Sequence, residues 1–175
     1  MGREIFPAQQ AGQTREYRPV ERRPEIERQG GRLRRRHAGG IVTSAVDTNV
    51  LLDLLAGDAA SADKARNALV EAESRGGMVI CEIVYAELAA AFSGDSKRLE
   101  SFLADARIRL VRTPAEALAQ AGALWRRYRA SGGPRTRVVA DFLVAAHAIA
   151  TAGCLLTRDR GFYGRYFKAL RVVAP

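Results

Sequence analysis

Beyond residue 40 the chain alternates two spacings of apolar residues. Short β-rich runs, VTSAV (42–46), MVIC (78–81), IRLVRT (108–113), CLLT (154–157) and LRVVA (170–174), each read as a buried strand. Between them lie stretches whose apolar residues recur every three or four positions, which predicts helices. These are a helix from Asn49, SADKARNALVEAESRG (61–76), IVYAELAAAF (83–92), DSKRLESFLADA (95–106), PAEALAQAGALWRRYRASGG (114–133), VVADFLVAAHAIATAG (138–153) and the short GFYGRYF (161–167). Pro114 at a helix start and Gly76, Gly132 and Gly153 at helix ends support the boundaries. Strands separated by helices predict an α/β fold, a parallel sheet with helices on both faces, whose ligands bind beyond the carboxyl ends of the strands where the strand order reverses.

Residues 1–40 break the pattern. They hold ten Arg and five Glu among Gly, Gln and Pro, with almost no aliphatic residues. Such a segment buries too little surface to offset its ordering entropy and is expected to be a disordered basic extension, dispensable for fold and catalysis. One domain is therefore expected over residues 41–175. The extension carries +5 of the net +9, so the domain itself is only moderately basic. That charge permits an acidic partner such as nucleic acid without specifying chemistry. Cys81 and Cys154 sit singly within apolar runs, as small buried hydrophobes in a reducing compartment do. The most apolar stretch, 142–156, is too short to span a bilayer, and a soluble cytoplasmic protein is expected.

Four carboxylates fall at the same edge of the inferred sheet. Asp47 closes the first strand, Glu87 lies in the helix after the second, Asp141 opens the helix VVADFLVAAHA, and Asp159 follows CLLT. Gathered anions raise one another's pKa and are tolerated chiefly around a hard divalent cation. With carboxylates, no paired Cys, and only His37 and His147 available, oxygen ligation of Mg²⁺ or Mn²⁺ fits better than a Zn²⁺ site. Asp47 and Asp141 are the expected direct ligands, with Glu87 and Asp159 completing the shell or orienting a water. His147, about 240° round the helix from Asp141, points away. Each acid also has a plainer role: Asp47 as a helix N-cap, Glu87 as a solvated helix residue, Asp141 as a complement to the helix dipole, Asp159 as a turn residue. Glu82 rivals Glu87, from which it stands about 140° away on a continuous helix. Thr48 and Asn49 either cap the helix or position Asp47 and the phosphate. Arg135, Arg137, Arg158 and Arg160 flank the acids and are placed to hold the phosphates of an acidic partner such as nucleic acid. Trp125 and Tyr128 fit core or interface better than base stacking.

VDTNVLLDLL, YAEL, ADFLVAAHA and LLTRDRGFYGRYF, in that order, resemble the PIN domain and in particular the VapC toxins of bacterial VapBC toxin–antitoxin pairs. The resemblance covers about 41–175 and implies the PIN three-layer sandwich. It also implies a metal-dependent endoribonuclease with Asp47, Glu87, Asp141 and Asp159 as its acidic cluster, neutralised by a VapB-like antitoxin and usually a homodimer. Gly161 stands where some members carry a further acid. The rival readings are an RNA-processing or non-catalytic PIN-like module binding RNA or protein, a DNase of related fold, and a phosphotransferase. The last would need an acid two residues beyond Asp47, where this chain has Asn49.

Overall fold

A computed structural model of the chain describes residues 42–134 and 138–175. The basic extension, Arg135 and Arg137 therefore lie outside the described residues. Within them the elements run β1 (Ser44–Val46), α1 (Thr48–Ala56), α2 (Ala59–Gly76), β2 (Met78–Ile80), α3 (Glu82–Ala91), α4 (Ser96–Asp105), β3 (Ile108–Leu110), α5 (Ala115–Ala130), α6 (Val139–Thr151), β4 (Cys154–Leu156), α7 (Arg160–Tyr166) and β5 (Val172–Val173). Every strand and helix expected from the apolar spacing is present. The strands are shorter than the apolar runs that mark them. In IRLVRT, for instance, the strand ends at Leu110; Val111 still donates its N–H to Ile80 O, and beyond it the Thr113 N–H and hydroxyl go to the carboxylate of Glu82.

The five strands form one parallel sheet in the order β3-β2-β1-β4-β5, with Ala45 level with Val79 on one side and Leu155 on the other. Parallel neighbours need a crossover rather than a hairpin, and the helices supply it. Helix α2 packs on β1 and β2, while α6 packs on β1 and β4, so the central strand is covered on both sides in an α/β three-layer sandwich. Burial on both faces explains why β1, β2 and β4 read as unbroken apolar runs: every residue of the three is buried. The order reverses at β1. From it the chain moves outward through β2 to β3, then returns to β1's other side for β4 and β5. The carboxyl ends of β1 and β4 therefore diverge into different loops and leave a crevice between them.

An aromatic cluster holds the helices around that crevice. Phe142 in the first turn of α6 and Phe162 in the first turn of α7 pack edge to face at 5.5 Å, and Tyr128 of α5 contacts both. This T-shaped packing adds to area burial and fixes the two helix starts against each other. Those starts carry Asp141 and Asp159.

Candidate active site

A cleft of about 420 Å³ opens at the carboxyl ends of β1 and β4, and Asp47, Glu87, Asp141 and Asp159 all line it. Four elements deliver these acids. Asp47 follows β1, its N–H donating to Leu156 O of β4 at 3.0 Å. Glu87 lies in the second turn of α3, Asp141 in the first turn of α6, and Asp159 immediately precedes α7.

Asp47 occupies the N-cap position of α1, yet its side chain makes no capping hydrogen bond. The carboxylate turns inward. Its Oδ2 accepts from the Thr157 hydroxyl at 2.6 Å and from Asn49 Nδ2 at 2.7 Å. Asn49 Nδ2 also donates to Thr157 Oγ1 at 3.0 Å, and Asn49 Oδ1 accepts from the Arg158 N–H at 3.1 Å. Thr157 Oγ1 in turn accepts from the Asp159 N–H at 3.1 Å. One hydroxyl thus ties the ends of β1 and β4 together. Burial pushes the Asp47 carboxyl above the ordinary aspartate range; the Thr157 hydroxyl and the Thr48 N–H pull against that rise, and the charges of Glu87 and Asp141 add to it.

The other acids combine plain and site roles. Thr48 donates its hydroxyl to Glu87 Oε2, joining α1 to α3, so Thr48 does more than start a helix. Asp141 accepts from the Val138 N–H at 3.2 Å and Asp159 from the Phe162 N–H at 3.1 Å, each closing the start of its own helix while facing the cleft. Glu82 is directed elsewhere, as the helical angle predicts. It receives the Thr113 N–H at 3.1 Å and the Thr113 hydroxyl at 2.8 Å. Burial raises its pKa, but its own backbone N–H and the Thr113 bonds outweigh this and leave it below the usual glutamate range. His147, fully buried, bonds Thr113 and Thr151 away from the cleft, and burial lowers its pKa against the pull of Glu82.

Of the flanking arginines, Arg158 lines the cleft and pairs with Asp53 through Nε at 3.1 Å, whereas Arg160 begins α7, is exposed and is not among the lining residues. Sequence reasoning did not single out Thr157, Asp53, Leu52, Val138 or Tyr163, although Leu52, Val138 and Tyr163 line the cleft. Thr157 in LLTRD and Asp53 in LLDLL carried no signal beyond ordinary strand and helix composition.

Among the described residues no three His, Cys, Asp or Glu side chains close into a ready-made metal cage. The donor set nevertheless suits Mg²⁺ or Mn²⁺. Mg²⁺ keeps several waters and takes one or two carboxylates plus substrate phosphates rather than an all-protein cage. Asp47 is buried, all-oxygen, and raised in pKa partly by its anionic neighbours, which a cation would relieve.

A family model described as the PIN domain matches residues 45–168. Among solved structures, the chain is similar to VapBC2 from Rickettsia felis bound to a DNA fragment from their promoter, at 22% identity and a TM-score of 0.61, over 75% of this chain and 98% of that one. It is similar to VapBC-1 from nontypeable Haemophilus influenzae at 19% identity and a TM-score of 0.59, over 75% and 97%. It also resembles Mycobacterium tuberculosis VapC20, a sarcin-ricin loop cleaving toxin, at 17% identity and a TM-score of 0.52, over 73% and 98%. No curated protein matches the sequence at a significant level.

Proposed function

The chain belongs to the PIN domain family, and from that premise we propose that it is a Mg²⁺-dependent endoribonuclease, the toxin of a toxin–antitoxin pair. The observation that carries this reading is the inward-turned Asp47. A carboxylate at a helix start that makes no cap, is buried, and faces Glu87, Asp141 and Asp159 across one cleft serves the cleft rather than the helix.

In this reading Asp47 and Asp141 hold the cation, and Glu87 and Asp159 complete the shell. Mg²⁺ or Mn²⁺, when bound, supplies charge for the phosphoryl oxygens and lowers the pKa of a water. Asn49 and Thr157 keep Asp47 in one orientation through neutral donors, leaving its negative charge available. A water oxygen forms a new bond to phosphorus as the P–O bond to the leaving oxygen breaks. Glu87 or Asp159 accepts the proton from that water, and the leaving oxygen takes a proton from solvent. Arg158 at the rim offers the positive charge that RNA needs to approach an acidic cleft.

The toxin assignment draws on what the similar structures are. Two are VapBC complexes, and one is a toxin that cleaves the sarcin-ricin loop. A VapB-like antitoxin is the partner proposed here, with homodimerisation. Leu52 and Val138, 37% and 56% exposed on the walls of the cleft, give an apolar segment of such a partner a place to rest. Among the described residues no helix is long and apolar enough to cross a membrane.

The test is cleavage of single-stranded RNA by the purified protein, run beside single-stranded DNA of the same sequence. Cleavage of RNA is expected to stop in excess chelator and return with Mg²⁺ or Mn²⁺, since oxygen-only sites accept both. Full activity in chelator would overturn the metal mechanism, and preferential cleavage of DNA would overturn the substrate.

A further inference from the structure

We propose that Asp53 is a positioning residue that holds Arg158 at the mouth of the cleft in the orientation in which its guanidinium grips an RNA phosphate; this rests on the nuclease reading above. Asp53 follows Asn49 by four residues and so lies on the same face of α1, one turn on. Both residues hold Arg158. Asn49 Oδ1 accepts its backbone N–H at 3.1 Å, and Asp53 Oδ2 stands 3.1 Å from its Nε. The two partners are unequal in exposure. The Asp53 side chain is 11% exposed and that of Arg158 is 57% exposed. A carboxylate is seldom so buried unless it is paired, and here the partner reaches it from the solvent side.

A half-exposed ion pair contributes little to stability. What it fixes is geometry. An arginine carries several rotatable bonds, and ordering it only when RNA arrives would weaken binding. With Nε held by Asp53, the edge bearing the two Nη groups is the fork that suits bidentate contact with phosphate. Arg158 lines the same cleft as Asp47 and Asp159, so a phosphate held there lies next to the acids.

Charge and positioning make opposite predictions. Asp53→Asn removes one negative charge beside the RNA path, so on charge alone RNA would bind equally or more tightly. If Asp53 positions Arg158, binding weakens instead. The experiment measures fluorescence anisotropy of a labelled single-stranded RNA oligonucleotide, in chelator to prevent cleavage and over a series of salt concentrations. The full chain is compared with Asp53→Asn, Arg158→Ala, Arg158→Lys and the Asp53→Asn/Arg158→Ala pair. Arg158→Ala is expected to weaken binding about tenfold, the scale of one hydrogen bond to a charged group, and to flatten the salt slope by about 0.7. Asp53→Asn is expected to lose nearly as much, the double variant no more than either, and Arg158→Lys to bind more weakly than wild type while keeping its salt slope, because it keeps the charge without the fork. With Mg²⁺, Asp53→Asn should raise KM while kcat at saturating RNA stays near wild type.

Asp53→Asn binding RNA as tightly as wild type, or Arg158→Lys doing so, overturns the proposal. Arg158→Lys alters the exposed partner and carries the test even if Asp53→Asn lowers the melting temperature. Wild-type protein that binds RNA through this pair but never cleaves it overturns the nuclease reading and leaves the positioning role standing.

Discussion

Asp47→Asn and Asp47→Ala separate two things that one carboxylate does, carrying charge and accepting hydrogen bonds. Since Asp47 makes no cap, the 0.5–2 kcal/mol that a lost N-cap would cost is absent from both variants. Asn presents Oδ1 where the carboxylate presents Oδ2, so it still accepts from Thr157 and Asn49 while shedding a charge that burial disfavours. Ala sheds the charge and the acceptor together. Thr157 is fully buried, and although its oxygen still accepts from Asn49 and the Asp159 N–H, leaving its O–H proton without an acceptor costs about 1–3 kcal/mol. For a domain of this size that is roughly 3–10 °C in Tm. Because neither variant carries the charge, the difference between them isolates the hydrogen bonds.

The assay is thermal unfolding in chelator from pH 7.5 downward. Asp47→Asn is expected to melt at or above wild type at pH 7.5, and Asp47→Ala below Asp47→Asn by that margin. Pairing or capping would depress the folded-state pKa, but that of Asp47 is raised. Its ionised form therefore destabilises the fold above that pKa, and the penalty fades as pH falls through it toward the ordinary aspartate range. Any advantage of Asp47→Asn should shrink over the same window. Asp47→Asn melting several degrees below wild type at pH 7.5 would refute the reasoning and return Asp47 to a purely structural role; equal melting of the two variants would show that the Thr157 bond holds nothing.

Asp141→Asn should keep the bond from the Val138 N–H, because an Asn Oδ1 accepts it as the carboxylate does, and melt no lower than wild type in chelator, while cleavage and the Mg²⁺-induced rise in Tm are both lost. Glu82→Gln should retain cleavage, since Glu82 serves Thr113 rather than the cleft, and cost about 1 kcal/mol at neutral pH. The pKa of Glu82 is depressed, so the wild-type advantage is present above the ordinary glutamate range and disappears as pH falls through the lowered value; melts of both proteins between pH 7 and pH 3 check this.

What the residue pattern reveals and what it hides divide along sequence distance. Helices follow from apolar residues three or four positions apart and strands from short apolar runs, and each expected element is present, though every strand is shorter than its run. The helical angle showed only that Glu82 and Glu87 diverge, which left Glu82 a rival, and the structure decides between them by turning Glu82 toward Thr113 and Glu87 toward Thr48 and the cleft. That a carboxylate closes β1 and another follows β4 was legible from apolar runs ending in Asp. Thr157 was not, because its importance comes from β1 and β4 lying level, Val46 beside Leu156. No local spacing encodes that pairing. Asp53 was hidden for a similar reason: on a helix wheel it is an ordinary polar residue, and only Arg158, distant in sequence, makes it a partner.

The bond between Asp47 and Thr157 spans 110 positions, and that separation governs when the cleft can exist. Asp47 and Glu87 leave the ribosome early, but Asp47 has neither its Thr157 anchor nor Asp159 opposite it until β4 has been made and has docked against β1. Docking of this kind closes a long loop before any contact rewards it, so it comes late in folding. A chain made only as far as α3 thus carries half of the acids and no site, and whatever chemistry the cleft performs begins only once β4 has been made and has docked against β1.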